Sequence, residues 1–348
     1  MKTAVVLFNL GGPDSPGAVR PFLKNLFSDP AILGVPQPFR WMLSELLSRR
    51  RAPIAREIYA KIGGRSPILP QTEDQARALE SWLNARGAEN RVFIAMRYWK
   101  PFASETAAAV RAFGPDRIVL APLYPQFSTT TSASSIADWT RAYGRDAAKT
   151  KILCCFPTED GFVEAYADLL RRELARVPSG QRVRVLFSAH GLPERVIQRG
   201  DPYQHQVELT AAETARRLGA DMPEWRVTFQ SKVGPLKWIG PATDAEIAQA
   251  GQDGVGLVIV PLAFVSEHSE TLVELDIEYR ELAHEKGVPF YARVPAVCTH
   301  PSFIAGLGAA VMRTLDGSGI CGGGPGGARL CPGKFGKCPM VRVGDAHV

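Results

Sequence analysis

The sequence lacks the long hydrophobic runs and targeting signals that direct a chain into or across a membrane. No apolar stretch approaches the roughly 18 residues of a membrane-spanning helix. Met1 leads almost directly into a strand-like segment with no long apolar core and no cleavage site, so we find no signal peptide. From these absences we expect a cytoplasmic protein.

Motifs for nucleic acids and for nucleotides are also missing. The formal net charge of +6 is too small and too dispersed to indicate nucleic acid, and no RNA- or DNA-binding motif occurs. The turn at 11–13 reads Gly-Gly-Pro rather than Gly-x-Gly-x-x-Gly, and there is no Gly-Lys-Ser/Thr phosphate loop. These absences argue against a nucleotide-binding oxidoreductase or electron carrier, whereas the mild positive charge suits anionic small molecules or an acidic membrane surface.

Short apolar segments alternate with amphipathic helical patterns along the 348 residues. Strands that alternate with helices in this way indicate βαβ units and parallel sheets, and therefore an α/β fold. One predicted helix covers 72–86, where Thr72 and Gln75 form a capping-box pattern. The predicted strands are 4–9, 91–97, 117–122, 151–156, 182–188, 226–230, 256–262 and 289–294.

The chain contains an internal sequence similarity, which we call the echo. Segment 6–13 resembles 185–193, and segment 118–123 resembles 258–262, each being a buried strand that ends in a turn marked by Gly or Pro. We interpret the echo as two similar α/β halves, with chance similarity between Val- and Leu-rich strands as the alternative. The predicted division is into halves at 1–175 and 176–315 and a Cys- and Gly-rich extension at 316–348.

Residues 30–51, which we call the lip, are strongly apolar and end in the basic run Arg49-Arg50-Arg51. An apolar patch beside a basic run indicates a membrane-facing surface or the mouth of an apolar ligand pocket. The alternative is an ordinary core helix with a solvated arginine end. A membrane-facing lip would give peripheral contact with the inner face of the cytoplasmic membrane.

Two candidate catalytic side chains follow buried strands. His190 comes after the strand at 182–188, and Glu270 follows the strand at 256–262. Because the carboxyl ends of parallel strands form the ligand crevice, we expect both in one cleft, facing each other across a slot from opposite halves. An imidazole and a carboxylate would form a mixed N/O site suited to a divalent first-row metal such as Fe²⁺. A purely structural histidine is the alternative.

An acidic line continues from Glu270. Glu274 and Glu278 recur every four residues and would share one helix face, with His268 just ahead of them. Such a line could carry cations inward or protons outward, and a solvated acidic face is the alternative. Arginines pair with carboxylates and aromatic faces stack on flat rings, so basic and aromatic residues near turns would form the crevice wall. These wall candidates are Arg51, Tyr59, Arg97, Tyr98 and Trp238.

Three cysteines, Cys321, Cys331 and Cys338, lie close together in a Gly-rich segment. Structural disulfides are rare inside cells, whereas thiolates hold iron–sulfur centres or zinc. Cys154 or Cys155 would supply a fourth ligand, and the choice between them stays open. The alternative is a disordered tail with idle cysteines.

Eight motifs stand in consistent order over about residues 3–315. They are 7–13, 59–68, Arg97-Tyr98, 124–128, 188–193, 199–203, 230–238 and 264–276. Together they resemble the ferrochelatase family, whose members insert Fe²⁺ into a porphyrin to make haem. The resemblance implies two Rossmann-like domains, each a four-stranded parallel sheet flanked by helices, and a slot between His190 and Glu270 wide enough for a tetrapyrrole.

The resemblance also implies residue roles. His190 matches the essential histidine of the family, and Glu270 matches its partner across the metal, while His268 and Glu274 match supporting positions. We hypothesise that one member of the pair takes the pyrrole protons and the other binds the metal; His190 could have either role, and Glu270 would then have the remaining one. Glu274 and Glu278 would act as the relay. Porphyrin-contacting or pocket-wall positions are matched by Arg51, Tyr59, Ser66 and Trp238.

Leu10 bears on the identity of the porphyrin. A second branch of the family acts on coproporphyrin and tends to carry tyrosine where this chain has Leu10, so the resemblance favours protoporphyrin IX and haem b as product. A coproporphyrin ferrochelatase or another tetrapyrrole metal chelatase is the alternative, and a haem-binding module without turnover is a further one. No feature of the sequence specifies an oligomeric state.

Some ferrochelatases resemble this chain in having a C-terminal cysteine group, which in them holds a [2Fe–2S] cluster. Animal members take their first ligand from the segment matching 124–131, which has no cysteine here. The resemblance therefore implies a bacterial-type cluster. Its expected ligands are Cys321, Cys331, Cys338 and either Cys154 or Cys155.

Overall fold

A computed structural model of the chain describes residues 1–87, 89–144, 146, 148–232, 234 and 236–340. Val233 and Pro235 of the motif at 230–238 lie outside the described residues, as do the last eight residues of the predicted extension. The described residues form two parallel β-sheets flanked by helices.

The first sheet combines N-terminal strands with one strand from the C-terminal extension. Its strands are β1 (Lys2–Asn9), β2 (Glu89–Met96), β3 (Arg117–Pro122), β4 (Thr150–Leu153) and β9 (Ile320–Cys321). They lie in the order β2-β1-β3-β4-β9, and every pairing is parallel. The central strand β1 is buried from Thr3 onward, as expected for a parallel sheet whose two faces are both covered.

The second sheet contains strands from the C-terminal half. Its strands are β5 (Val183–His190), β6 (Glu224–Gln230), β7 (Gly256–Pro261) and β8 (Tyr291–Arg293). They lie in the order β6-β5-β7-β8 and are also all parallel. The four sequential strands of each half thus have the same spatial order, second-first-third-fourth, which supports the interpretation of the internal echo as a repeated unit.

The predicted α/β fold of two parallel sheets is confirmed, because a strand lies at each of the eight predicted positions. The first sheet differs from the expected four strands by having a fifth, β9. It joins through the pairs Ile152↔Ile320 and Leu153↔Cys321. Two residues are too short to show a period of two, so only the packing of the extension reveals this strand.

Helices connect the strands on both faces of the sheets. They are α1 (Val19–Ser28), α2 (Phe39–Ala60), α3 (Ile68–Asn84), α4 (Ala103–Phe113), α5 (Ser132–Tyr143), α6 (Asp160–Leu174), α7 (Glu194–Gln198), α8 (Tyr203–Leu218), α9 (Thr243–Asp253), a π-helix (Glu270–Glu278), α10 (Tyr279–Glu285) and α11 (Pro301–Asp316). The predicted helix at 72–86 begins earlier, at Ile68. Thr72 donates its hydroxyl to the Ile68 carbonyl, 2.6 Å away, so it does not act as the predicted cap.

One hydrophobic cluster joins the two sheets. It contains Val5 and Leu7 of β1 together with Val185 and Phe187 of β5, all completely buried. Helix α11 packs against α3 and α6 beside this cluster. The two halves therefore meet through apolar side chains, while the domain boundaries at 175 and 315 stay a prediction.

Side chains of the first half fix the segments that follow the second sheet's strands. Gln75 of α3 donates its Nε2 amide to the carbonyl of Val265 at 2.6 Å and to that of Cys298 at 3.1 Å. Tyr166 of α6 donates its hydroxyl to the Pro261 carbonyl at 2.7 Å, directly at the end of β7. Buried polar groups that are fully paired in this way hold a loop in one conformation.

The lip is not a core helix. Phe39, Trp41, Met42, Leu46 and Ile54 on α2 are each more than half exposed. A core helix would bury these side chains, so the alternative of an ordinary core helix is wrong. No helix in the described ranges is long and apolar enough to cross a membrane.

Candidate active site

His190 and Glu270 meet at the carboxyl ends of two neighbouring strands. His190 is the last residue of β5, and Glu270 opens the π-helix that follows β7. The imidazole Nδ1 lies 2.8 Å from Glu270 Oε2, within hydrogen-bond distance. The two side chains remain 36% and 28% exposed, so one side of the pair is open to solvent.

The expected slot between these two side chains does not exist. They follow neighbouring strands of one sheet, in the same half rather than in opposite halves, and they contact each other directly. The π-helix begins close enough to the end of β5 for the carboxylate to reach the imidazole. A flat ligand must therefore lie against the pair rather than between its members.

Each member of the pair favours the charged form of the other. Burial alone would raise the pKa of Glu270, but the positive charge of His190 and the hydrogen bond outweigh it and lower that pKa to about 2. Burial would lower the pKa of His190, yet the charge of Glu270 and the hydrogen bond raise it. The resting pair consists of an ionised carboxylate beside an imidazole that readily holds a proton.

His268 orients Glu270. Its Nδ1 accepts the backbone N–H of Glu270 at 3.1 Å, so this nitrogen carries no proton. Burial of the ring lowers the pKa of His268, which keeps the imidazole neutral. A side chain that accepts a backbone N–H at the start of a helix fixes that start. His268 is therefore a positioning residue for Glu270.

Glu274 lies one turn along the π-helix in a ring of donors. It accepts hydrogen bonds from Ser231 N at 2.9 Å, Gln230 Nε2 at 3.0 Å and the Tyr279 hydroxyl at 3.2 Å. Burial first, and then the charge of Glu270, raise its pKa. Two nearby carboxylates with oppositely shifted pKa values can divide acid and base roles between them.

The lip helix reaches the site at its C-terminal end. Tyr59 of α2 hydrogen-bonds to the side chain of Ser269, and burial raises the pKa of its hydroxyl to about 12, so it stays a neutral donor. Lys61, just beyond α2, lies 3.5 Å from the carboxylate of Glu278, at the end of the π-helix. The first half therefore contributes to this site beside the π-helix.

Trp238 forms a wall beside His190. The two ring centroids are 6.4 Å apart with their planes at 72°. A small cavity of about 120 Å³, lined by Gly191, Gln230 and Trp238 among others, adjoins this wall. The sequence-predicted residues that the structure brings together are thus His190, Glu270, His268, Glu274, Tyr59 and Trp238.

Arg97 and Tyr98 have a different setting. Arg97 pairs with Asp29 at 2.8 Å, and the Tyr98 hydroxyl donates to the same carboxylate oxygen at 2.7 Å. Asp29 is 2% exposed at its side chain and Arg97 is 13% exposed. A cavity of about 640 Å³ adjoins Arg97 and Asp29. Both predicted wall residues thus use their polar groups to bind the buried carboxylate of Asp29.

The remaining predicted porphyrin contacts surround the lip. Leu10 packs on the apolar cluster that contains Tyr59 and Tyr98. Ser66 is buried, and its hydroxyl accepts the N–H of Ile68 at 3.3 Å, at the start of α3. Arg51 is exposed on α2.

Four of the cysteine sulfurs are neighbours. Cys154, Cys155, Cys331 and Cys338, which we call the sulfur group, are all buried and linked by side-chain hydrogen bonds or charge interactions. Hydrogen bonds from Cys154 and Cys331 lower the pKa of Cys338, which favours a thiolate there. Cys321 pairs with this region through its backbone, whose carbonyl accepts the N–H of Cys154 at 2.8 Å. Its sulfur contacts the Gly322 carbonyl at 3.7 Å and the side chain of Arg313.

Sequence reasoning missed several residues that hold the site. Gln230 and Ser231 were noticed only as part of a family motif, and Tyr203 only within the motif at 199–203. The Tyr203 hydroxyl donates to the backbone carbonyl of His190 at 3.0 Å. Tyr279 carried no signal, because its contact with Glu274 depends on the winding of the π-helix.

Comparison with known proteins identifies the family. The profile of the family described as ferrochelatase matches residues 2–315 of this chain. The chain belongs to the ferrochelatase family. The prediction of an enzyme that inserts iron into a porphyrin to form haem, a lyase, is thereby confirmed.

Curated relatives named ferrochelatase support this assignment along nearly the whole chain. One from Phenylobacterium zucineum is 53% identical over 348 residues, which cover 99% of this chain and 100% of that relative. Another from Caulobacter vibrioides is 54% identical over 345 residues, with 97% of each chain covered.

Solved structures agree on the fold. SirB from Bacillus subtilis with Fe³⁺ has a TM-score of 0.53 at 15% identity, covering 90% of this chain and 96% of that one. The sirohydrochlorin chelatase SirB from Bacillus subtilis subspecies spizizenii in complex with cobalt has a TM-score of 0.51 at 12% identity, covering 91% and 96%. At these identities the similarity establishes a chelatase-like fold alone.

Proposed function

We propose that this ferrochelatase family member inserts Fe²⁺ into protoporphyrin IX and that His190 and Glu270 work together as the unit that removes pyrrole protons. The observation that carries the proposal is the 2.8 Å contact between His190 Nδ1 and Glu270 Oε2 in a recess open on one side. Pyrrole protons must leave as the metal enters, and an imidazole beside a carboxylate is a suitable acceptor near neutral pH.

The tautomer of His190 follows from this contact. When the imidazole is neutral, its Nδ1–H donates to Glu270, which leaves Nε2 as the nitrogen that accepts a proton. The imidazolium that forms is then stabilised by the ionised carboxylate. A carboxylate that orients and stabilises an imidazole in this way raises its basicity without itself taking the proton.

The same contact favours proton transfer over metal binding by the pair. Nδ1 and Oε2 already face each other, so joint coordination of Fe²⁺ would require the hydrogen bond to open. Proton transfer through Nε2 needs no such rearrangement. His190 as the first ligand of the incoming Fe²⁺ is the second candidate role, since a neutral imidazole is also a good ligand for first-row metals.

Glu274 and Glu278 would continue the route of the protons to solvent. Glu274 has a raised pKa and therefore accepts a proton more readily than Glu270 does. Glu278 is 46% exposed at the other end of the π-helix, beside Lys61. Because Glu270 does not take the proton, the route runs from His190 to Glu274, whose charge acts on His190, and then to Glu278 at the surface.

The porphyrin would be held by the lip and the wall beside His190. Leu10 and Tyr59 offer apolar surface in the cluster beside the C-terminal part of α2, and Trp238 offers an aromatic face. Arg51 of the lip offers a charge for a propionate, and Ser66 lies at the start of α3. Binding at these places can hold the ring bent, at a cost of a few kcal/mol, so that nitrogen lone pairs face the incoming ion. Arg97 and Tyr98 would support this surface through Asp29.

The choice of porphyrin can be tested at Leu10. We expect the wild-type chain to metallate protoporphyrin IX with a kcat/KM about tenfold above that for coproporphyrin, since a pocket built from apolar side chains discriminates by roughly that factor. Leu10→Tyr should narrow this ratio, because the added hydroxyl lies in the apolar cluster with Tyr59 and Tyr98. Anaerobic absorption assays with Fe²⁺ and each porphyrin measure it.

Leu26→Met is the matched control, because Leu26 packs on the same cluster. A wild-type preference for coproporphyrin would overturn the protoporphyrin assignment. Absence of metallation with either ring would overturn the proposed function as a whole.

We also propose that the sulfur group holds a [2Fe–2S] cluster. Four buried, free cysteines whose side chains interact with one another match the four thiolates that such a cluster needs. Gln206 donates its Nε2 to Cys331 Sγ at 3.0 Å, and hydrogen bonds to sulfur are typical of these sites. Among the described residues no three His, Cys, Asp or Glu side chains are arranged to hold a metal ion.

The cluster ligands are then Cys154, Cys155, Cys331 and Cys338. Both candidates for the first ligand belong to the sulfur group, while Cys321 lies with Arg313 and Gly322. When bound, the cluster would supply a one-electron redox centre and a crosslink between the extension and β4. The chain's own contribution is to bury these sulfurs and to donate hydrogen bonds to them.

Serine variants test this ligand set. Cys331→Ser and Cys338→Ser should abolish the visible absorption of protein purified without oxygen and lower bound iron and acid-labile sulfide by at least about tenfold, because an alcohol replaces a thiolate ligand. Cys321→Ser is the matched control and should retain the colour. Colourless, iron-free wild type would refute the cluster, and bleaching by Cys321→Ser would refute this ligand set.

We further propose that the lip contacts an anionic membrane surface from the cytoplasmic side. Its exposed residues Phe39, Trp41, Met42 and Leu46 lie in the first turns of α2. Arg50 and Arg51 follow on the same helix, and in the described part of the chain neither makes an ion pair. Apolar side chains beside basic ones are what an interfacial helix presents to anionic lipid.

Vesicle binding tests the lip. Replacing Trp41 and Leu46 together by Ser should weaken binding to vesicles of phosphatidylethanolamine and phosphatidylglycerol by about tenfold or more, because each large apolar side chain contributes roughly 1.5–3 kcal/mol when fully buried. Sedimentation with vesicles at low salt measures it. Met312→Ser, at an exposed apolar position on α11, is the control. Equal sedimentation of all three proteins would contradict the proposal.

A further inference from the structure

The first turn of α8 contacts both the strand that carries His190 and the sulfur group. Tyr203, the first residue of α8, is buried and donates its hydroxyl to the His190 backbone carbonyl at 3.0 Å. Gln206, three residues later and completely buried, donates to Cys331 Sγ at 3.0 Å and to Cys155 Sγ at 3.5 Å. Three residues span about 4.5 Å along a helix, so one rigid turn carries both contacts.

The same turn is fixed at its beginning. Asp201, completely buried, accepts the backbone N–H of Tyr203 at 3.0 Å and the backbone N–H of Thr129 at 2.7 Å. The Oε1 of Gln206 accepts the N–H of Phe127 at 2.7 Å. Segment 127–129 and the first turn of α8 are therefore joined at two points. A turn held in this way transmits a displacement instead of absorbing it.

The Gln206 amide depends on the two sulfurs for its acceptors. Gln206 has no exposed surface, so water cannot replace a sulfur acceptor that is lost. An amide that loses a buried acceptor must move or remain unpaired, and either outcome disturbs the turn.

We propose that Gln206 and Tyr203 are positioning residues that connect the sulfur group to His190. The sulfur of Cys331 holds the Gln206 amide, the first turn of α8 stays in place, and the Tyr203 hydroxyl fixes the carbonyl of His190 beside Glu270. Loss of that acceptor loosens the strand end and weakens proton removal. This inference rests on the proposed roles of His190 and the sulfur group.

Three variants of the full chain test the connection. Gln206→Met keeps the packing and removes the contacts with Cys331, Cys155 and Phe127. Tyr203→Phe removes the contact with His190, and the third variant combines the two changes. Each single variant should raise amide hydrogen exchange in a peptide covering 186–191 by about threefold to tenfold, the effect of one lost hydrogen bond. Each should also lower kcat for metal insertion by about tenfold with an almost unchanged KM. The double variant should be no worse than the more impaired single variant.

Gln204→Met is the matched control, because Gln204 lies on the same helix and, within the part of the chain that the structure describes, its side chain pairs only with the exposed side chain of Glu208. It should leave exchange and kcat as in the wild type. If the losses of kcat in the two single variants multiply in the double variant, the two contacts act independently, and the proposed connection is overturned. Gln206→Met with wild-type exchange at 186–191 would also overturn it. If wild type inserts no metal, the proposed function fails, while the exchange data still decide the connection.

Discussion

His190→Ala is expected to abolish metal insertion while porphyrin still binds. The variant removes the imidazole that accepts pyrrole protons, and general-base catalysis of this kind contributes about 10²–10⁴-fold to a rate. The porphyrin contacts proposed at the lip and at Trp238 are untouched. Anaerobic single-turnover metallation measures the rate, and quenching of porphyrin or tryptophan fluorescence measures the dissociation constant.

The matched control is His284→Ala, which removes an exposed histidine near the end of α10. It should metallate at the wild-type rate. If His190→Ala keeps more than about one tenth of the wild-type turnover, the assignment is contradicted. A rate loss of less than about tenfold is smaller than the smallest loss expected on removing a general base, about 10²-fold. Loss of porphyrin binding in parallel with turnover would instead place His190 among the substrate contacts.

Glu270→Gln is expected to slow metal insertion by about 10²-fold and to shift its pH dependence to lower pH. In the wild type the charge of Glu270 raises the pKa of His190, so the neutral base appears only as pH rises through that raised value. The amide carries no charge, so burial acts with less opposition and lowers the pKa of His190. The rising limb of kcat/KM against pH therefore moves towards acid, with a lower plateau because the base is weaker.

The control for this variant is Glu281→Gln, an exposed acid on α10 just after the π-helix. Its pH profile should match that of the wild type. If the rising limb of kcat/KM against pH in Glu270→Gln lies at the same pH as in the wild type, His190 is not the titrating base. A limb that moves towards alkaline pH would contradict the sign of the coupling between the two side chains.

The strands could be predicted because their signal is local. β1, β5 and β7 are apolar runs bounded by turn residues, and their carboxyl ends carry the candidate site in any parallel sheet. Strand β9 could not be predicted in this way. Its two residues become a strand only because the extension folds back beside β4.

The residues of the site could be named in advance, but their contacts could not. Arg97 and Tyr98 have the chemistry of a porphyrin wall, yet both bind Asp29, which lies far away in the sequence. The resemblance matches His268, two residues before Glu270, to a supporting position. In the fold it is a neutral acceptor for the N–H that opens the π-helix.

The sequence by itself determined the α/β fold with its repeated halves, the placement of His190 and Glu270 at strand ends, and a group of cysteines near the C-terminus. Those features follow from local periodicity and from the rule that parallel strands present their carboxyl ends together. Only the tertiary structure decided that the imidazole and the carboxylate touch, and that the side chains of Cys154 and Cys155 interact with those of Cys331 and Cys338. Distances between side chains far apart in the chain depend on how helices and sheets pack, and no local pattern encodes them.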